Sequence, residues 1–402
     1  MTVSRSVIVA GAGIGGLTAA LALARSGFRV VVLEQAERLE ETGAGIQLSP
    51  NATRALIDLG VGELLRPHAV APTALRVLAG RSGREIVRIP LEQAAQRYGA
   101  PYWIIHRGDL QAALAAAVTH ERDVYLKLGM RMEDFAIHPH GVTVSAADGG
   151  GVWNEYGHAL IAADGLWSDS PARLGYKELP YFAGRTAWRA LIPASQVPPE
   201  LREPQIHLWL GRHAHLVHYP VKAGRAINVV VITTDRWNSP GWSEPVSRSE
   251  LLPRFPAARW APQARALIEK PEAWLKWALY VREPLPGFSR GAAALLGDAA
   301  HPMLPFLAQG AAMAIEDGVV AARCLARMPD DATRALNTYS AVRRARTRKV
   351  QRLAAQNGDR YHRGAVAGML RNAAMRVIGG ERLLRHYDWL YDWRPPAALS
   401  MT

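Results

Sequence analysis

Ser6-Val7-Ile8-Val9-Ala10-Gly11-Ala12-Gly13-Ile14-Gly15-Gly16 is the stretch whose reading decides the fold. The opening residues form an apolar run of strand length that enters a glycine-rich turn directly. A helix is expected over Leu17 to Arg25, then a second strand, Arg29 to Leu33, ending in Glu34. Gly11, Gly13 and Gly16 occupy the three places of a Gly-x-Gly-x-x-Gly turn. The first permits the tight turn, the second lets a pyrophosphate approach the backbone, and the third lets helix and strand pack closely. Glu34 lies eighteen residues beyond Gly16, at a strand end where a carboxylate accepts from ribose hydroxyls. In this β-α-β frame the motif reads as an adenine-dinucleotide site and leaves FAD and NAD equally open.

A second stretch answers the first. Ala292 to Leu296 is another buried-strand run, followed by the Gly297-Asp298 corner, two prolines (Pro302 and Pro305) and a helix beginning past Gln309-Gly310. A helix start offers unpaired N–H groups and a positive dipole end. Small residues at Gly310 and Ala311 let a flat ligand come close to the backbone. Alone, the segment also fits an ordinary strand–loop–helix crossover.

Together with Asp164-Gly165, these two stretches resemble the single-component FAD-dependent aromatic hydroxylases, from about Val7 to Trp393. The resemblance implies an α/β chain: a Rossmann-like FAD-binding domain with an inserted, mostly antiparallel β-sheet substrate domain and a C-terminal helical region. The expected bounds are 1–73, 101–180 and 281–332 for the first, 74–100 and 181–280 for the second, and 333–402 for the third. It further implies tightly bound, non-covalent FAD, and NADH or NADPH as a transient reductant. O2 then adds to the reduced flavin to give a C4a-hydroperoxide, which hydroxylates an electron-rich phenolic or N-heteroaromatic, acidic substrate.

The resemblance also assigns residues. Arg38 is expected at the adenosine half, Arg107 at the pyrophosphate or ribityl region, and Asp298 at the ribityl or phosphate-side hydroxyls. Asp164 serves FAD and reductant, while backbone donors near Gly310 and Ala311 meet the pyrimidine edge of the ring. Gln47, Trp188 and Pro305 are the expected substrate-side residues. Two departures stand out. Pro171 replaces an arginine common in the family, and Pro305-Phe306 offers no side-chain hydrogen-bond donor.

The run His215-Leu216-Val217-His218-Tyr219-Pro220 carries the candidate chemistry. On a strand, His215 and Tyr219 face one side with Val217 between them, and His218 faces the other. By residue type alone the pair also reads as an ordinary core or surface pair. The run resembles the 3-hydroxybenzoate 6-hydroxylase, salicylate hydroxylase and 6-hydroxynicotinate 3-monooxygenase branch, where the matching His and Tyr face the substrate. A His and Tyr there assist deprotonation of a phenol.

Composition sets the outer bounds. The length of 402 residues with 49% hydrophobic content fits two or three globular domains. Cys324 is the only cysteine, which excludes an intrachain disulfide and fits a reducing cytoplasm. No apolar run is long enough to span a bilayer. The net charge of +13 gathers partly in Arg343, Arg344, Arg346, Arg348, Lys349 and Arg352. No nucleic-acid motif accompanies them, so a solvated basic helix face is expected. Such a field speeds encounter with anionic substrates and reductant. No metal site is expected. The aromatic tail, Trp389 to Trp393, packs on the protein and joins a dimer contact in some relatives, which makes a homodimer one expectation.

Rival readings are a same-fold hydroxylase of a quinone precursor, urate or a natural product, and a non-catalytic flavin-binding sensor. A flavin halogenase is disfavoured because Trp188-Arg189-Ala190-Leu191-Ile192-Pro193 lacks the paired tryptophan of a Trp-x-Trp-x-Ile-Pro box, Ala190 standing in the second place.

Overall fold

In the computed structural model, which describes residues 5–39, 44–239 and 241–399, the Ser6–Ala10 strand lies inside a six-stranded sheet. The strand order is Ser289–Arg290, Ala293–Leu295, Ala159–Ala162, Ser6–Ala10, Arg29–Glu34 and Val124–Leu128. All neighbours run parallel except the first pair. Near-continuous apolar strands such as Val7 to Val9 suit a parallel sheet covered on both faces. The Ile14–Ala24 helix and the three-stranded sheet Arg131–His138, Gly141–Ala147 and Val152–Gly157 both pack on it.

Two helices bring the glycine corners together. The Gly310–Arg327 helix crosses Ile14–Ala24 so closely that a Cβ on Gly318 would lie 2.8 Å from the Ala19 nitrogen. A Cβ on Gly15 would meet the Leu296 side chain at 2.6 Å. At Gly318 the two helix backbones are themselves in contact, and at Gly15 the Leu296 and Ala314 side chains fill the space a Cβ would take.

The second large sheet has eight strands in the order Ser243–Ser247, Ala273–Val281, Tyr181–Pro193, Ala226–Thr234, Ala214–Val221, Gln205–Leu210, Ala74–Ala79 and Glu85–Pro90. Only the Gln205–Leu210 and Ala74–Ala79 pair is parallel. Its two faces do different work, because alternate residues point opposite ways. One face carries Leu216, Val229, Val231 and Trp274 into a core closed by Leu251, Phe255, Trp260 and Leu267. The other carries rows set by register: Ala187, Ile232 and His215; then Arg189, Val230 and Val217; then Leu191, Asn228 and Tyr219.

Trp188 corrects an expectation. Its indole lies on the first face, fully buried, with Nε1 donating to Thr186 and Thr233 hydroxyls at 3.1 Å. Lys276 and Arg254 stack over its ring. It is a core residue, because Ala187 and Arg189, not Trp188, take the opposite face at this register.

The basic helix corrects another. Within Ala332–Tyr361, Arg343 and Arg346 are buried and bound to Glu316 and Asp317 of the preceding helix. Buried guanidinium groups need such partners to offset lost hydration. Arg344, Arg348, Lys349 and Arg352 are the solvated face. The tail returns here: Trp393 lies under both buried arginines and Trp389 under Lys349. Among the described residues, no helix is long and apolar enough to cross a membrane.

Candidate active site

The glycine turn is built for close approach. Gly11 sits at φ +99°, and a Cβ there would lie 2.5 Å from the Ala163 carbonyl oxygen. A Cβ on Gly16 would fall 1.9 Å from the Gly11 carbonyl oxygen, whereas one on Gly13 would meet nothing within 4 Å. Gly11 and Gly16 therefore serve packing, and Gly13 leaves the helix start open to a ligand. Glu34 reaches back across the strand ends. Its two oxygens accept from the Ala12 and Ala36 N–H groups at 2.7 and 2.9 Å. Arg38 is exposed just beyond.

The Gly-Asp corner faces this turn across the sheet. Asp298 keeps a solvent-accessible carboxylate although protein crowds it, as a group at the floor of a cleft does. Burial pushes its carboxyl up from the ordinary value, with His301 and Arg107 opposing. Arg107, first residue of the Arg107–His120 helix, is near enough for its charge to favour the Asp298 carboxylate. Asp164 accepts from the Ser170 hydroxyl at 2.7 Å through one oxygen, while the other is buried without a partner. An orphaned buried carboxylate oxygen is rare, and a hydroxyl-rich ligand meets its need.

The Gly310–Arg327 helix begins after Ala308, a non-glycine residue held at φ +52°. Left-handed backbone at an alanine is a strain typical of ligand-shaping loops. A buried network fixes it. Gln309 donates to Ser49, Ser49 to Asn51, and Asn51 to Glu316. Gly310 and Ala311 are left half-buried at the helix start.

The sheet face closes the other side. His215 is buried, and its Nδ1 lies 2.9 Å from Nε2 of His362. The Phe306 and Tyr361 rings pack beside it. Burial, then His362 and Arg185, hold its imidazole well below the usual range, so it is neutral near pH 7. Tyr219 belongs to a second environment on the same face. It is buried against Gln47, which also accepts from the Tyr102 hydroxyl at 2.9 Å, and burial raises its phenol. Gly45 permits this, since a Cβ there would lie 2.5 Å from the Tyr219 ring, and its N–H donates to Asn228 at 2.7 Å. Four residues along a strand separate His215 and Tyr219 by about 13 Å between their Cα atoms. They share a face without touching. His218 points the other way, stacked on His207 at 4.4 Å and accepting from Trp209.

Pro305 is exposed in the same loop as buried Phe306. Arg189, between the two environments, has no residue-level signal in the sequence. Its Nε is buried without a partner and its guanidinium lies 4.7 Å from the Trp277 ring centroid. Burial lowers it to about 10, Tyr219 opposing and Arg107 adding.

A family model described as an FAD binding domain matches residues 4–354. The chain is 38% identical to 3-hydroxybenzoate 6-hydroxylase 1 of Aquipseudomonas alcaligenes, over 96% of this chain and 97% of that one. It belongs to the FAD-dependent aromatic hydroxylases. Among solved structures, Klebsiella pneumoniae HpxO complexed with FAD and uric acid aligns with TM-score 0.83 and 28% identity, covering 95% of each chain. A salicylate hydroxylase substrate complex aligns with TM-score 0.81 and 26% identity, covering 97% of this chain and 96% of that one. This aromatic hydroxylase is a flavoprotein monooxygenase that uses FAD and acts on a small aromatic substrate. The open Gly13 turn, the accessible Asp298 and the orphaned Asp164 oxygen fit that cofactor.

Proposed function

We propose that this hydroxylase acts on a phenolic or N-heteroaromatic acid lying on the row of Arg189, Val230 and Val217, with His215 taking the proton of its ring hydroxyl. The observation that carries this reading is the state of His215. Its imidazole is buried and neutral, Nδ1 is engaged by His362, and Nε2 has no protein partner among the described residues. A neutral imidazole with one free nitrogen is a base ready to accept. Removing the hydroxyl proton raises the electron density of the ring for attack. Tyr219, kept protonated by burial, donates a hydrogen bond to the substrate and shares Gln47 with Tyr102.

Bound FAD supplies the electron transfer from NADH or NADPH and the activation of O2. The chain supplies position. Glu34 meets the ribose, Arg107 the pyrophosphate or ribityl chain, and Asp164 and Asp298 the remaining hydroxyls. Arg38 lies toward the adenosine half. Backbone donors at Gly310 and Ala311 face the ring where negative charge gathers. Pro305 and Phe306 close the cleft over the ring with apolar surface. Arg189 supports an acidic substrate, since a half-buried guanidinium with no carboxylate partner among the described residues favours an anion.

The residue ranges proposed for the FAD-binding, substrate and C-terminal regions rest on the two sheets and on the helices that follow. A cytoplasmic enzyme, and a homodimer contact through the tail, complete the reading.

The test is NADH oxidation by the FAD-loaded enzyme with 3-hydroxybenzoate, salicylate or 6-hydroxynicotinate. At least one acid stimulates NADH loss and yields a hydroxylated product, and Arg189→Leu raises KM for that acid more than for phenol. Stimulation by neutral phenols alone contradicts the acid, and none at all contradicts the substrate class.

A further inference from the structure

We infer that His362 completes a two-imidazole relay that carries the substrate's hydroxyl proton from His215 to solvent. The inference rests on the proposed role of His215 as the base. His362 ends the Ala332–Tyr361 helix, far from the sheet in sequence, and places Nε2 2.9 Å from Nδ1 of His215. Its own Nδ1 lies 3.4 Å from the Thr234 hydroxyl, and Thr234 is exposed at the end of its strand. The His362 carbonyl accepts from the His213 N–H at 3.2 Å. Ring and backbone are thus fixed from the sheet side, and the path His215, His362, Thr234 runs from a buried face to water.

Proton accounting follows from the ring chemistry. A neutral imidazole has one N–H and one lone pair. In the competent state, His215 donates Nδ1–H to His362 Nε2, and His362 donates Nδ1–H to Thr234. The hydroxyl proton then enters at His215 Nε2. The Nδ1 proton crosses to His362 Nε2, and the His362 Nδ1 proton leaves through Thr234 to solvent. One proton enters, one leaves, both rings stay neutral and only the tautomers are exchanged. Reverse transfer resets the pair: a proton enters from solvent at His362 Nδ1, the His362 Nε2 proton returns to His215 Nδ1, and the His215 Nε2 proton goes to the phenolate oxygen of the product.

The surroundings favour neutral handover. His215 faces Arg185 and His362. His362 faces Arg185, His213 and Arg371, with only Asp359 opposing, and Asp359 is itself paired with Arg185 at 2.5 Å. Burial is the largest cause of the downward shift at both rings, and His362 falls to about 4. A lasting imidazolium is disfavoured at either ring, so a proton taken up must move on. The other buried histidine pair shows the contrast: His207 and His218 lie flat on one another, 2° apart, without a mutual hydrogen bond.

The experiment compares the FAD-loaded enzyme with His362→Gln, His362→Ala and His215→Ala, using whichever of 3-hydroxybenzoate, salicylate and 6-hydroxynicotinate the wild type hydroxylates, with NADH and O2. Glutamine keeps a hydrogen bond to His215 but cannot pass a proton through a ring. In both His362 variants, flavin reduction stays within about twofold while hydroxylation at pH 7 falls about tenfold or more. The remaining rate climbs with pH as hydroxide replaces the relay, and added imidazole restores part of it in His362→Ala. His362→Gln with unchanged hydroxylation and pH profile, beside a slow His215→Ala, overturns the relay and leaves His215 as base. His215→Ala with full activity overturns the base itself, and the relay with it.

Discussion

The Asp317 carboxylate accepts the backbone N–H of Gly297 at 3.0 Å, so a buried acid on one helix holds the Gly297-Asp298 corner. The same oxygen binds His301, and the other binds Arg343 at 2.6 Å. Burial alone would raise the Asp317 carboxyl, but His301 and Arg343 bring it down to about 2. The Gly-Asp corner is therefore set from behind by buried charges. The sequence motif shows the corner and not its support.

Arg343→Met leaves Glu316 and Asp317 buried with too little positive charge. Breaking such a pair costs about 3–5 kcal/mol. Urea unfolding of the FAD-loaded protein measures it, with exposed Arg348→Ala as the control, expected within about 0.5 kcal/mol of wild type. A loss below about 1 kcal/mol for Arg343→Met would show that the network does not carry the corner.

Glu34→Ala weakens FAD retention by about 10- to 100-fold, the worth of a hydrogen bond to a charged group. Equilibrium dialysis against FAD reads it. Because Glu34 also accepts from Ala12 and Ala36, circular dichroism of the apoprotein separates a distorted turn from a lost ribose contact. Unchanged FAD affinity would remove Glu34 from the site.

Acid destabilises the protein in two windows. Folded His207 and His362 lie near 4, and His215 and His218 are held well below the ordinary imidazole range, each depressed first by burial. The unfolded chain takes up these protons first, so stability is full above about pH 6.5 and declines toward pH 4. Asp317, depressed to about 2, contributes stability that is present above about pH 4 and lost as pH falls toward 2. Thermal unfolding midpoints across pH 8 to 4 should fall below 6.5. A flat profile would mean that the four imidazoles are not held neutral.

The strand, glycine turn and helix were legible because their signals are local: an apolar run, three spaced glycines and an acid at the next strand end. The shared face of His215 and Tyr219 was legible from the two-residue period of a strand. Trp188 was not, because Ala187, Trp188 and Arg189 alternate without a polar pattern, and only sheet register tells which face is core. The burial of Arg343 and Arg346 depends on Glu316 and Asp317 on another helix. His362 lies 147 residues from its partner His215, and no spacing rule joins a helix end to a strand at that distance.

The most direct test of the central claim separates the two half-reactions in His215→Ala. With whichever of the three acids stimulates NADH loss bound, flavin reduction by NADH is measured without oxygen, and product formation is measured after mixing the reduced enzyme with O2. Reduction should stay near the wild-type rate and hydroxylation should slow by about 10²-fold or more, the usual worth of a general base. Equal losses in both steps, or no loss in either, would contradict that claim.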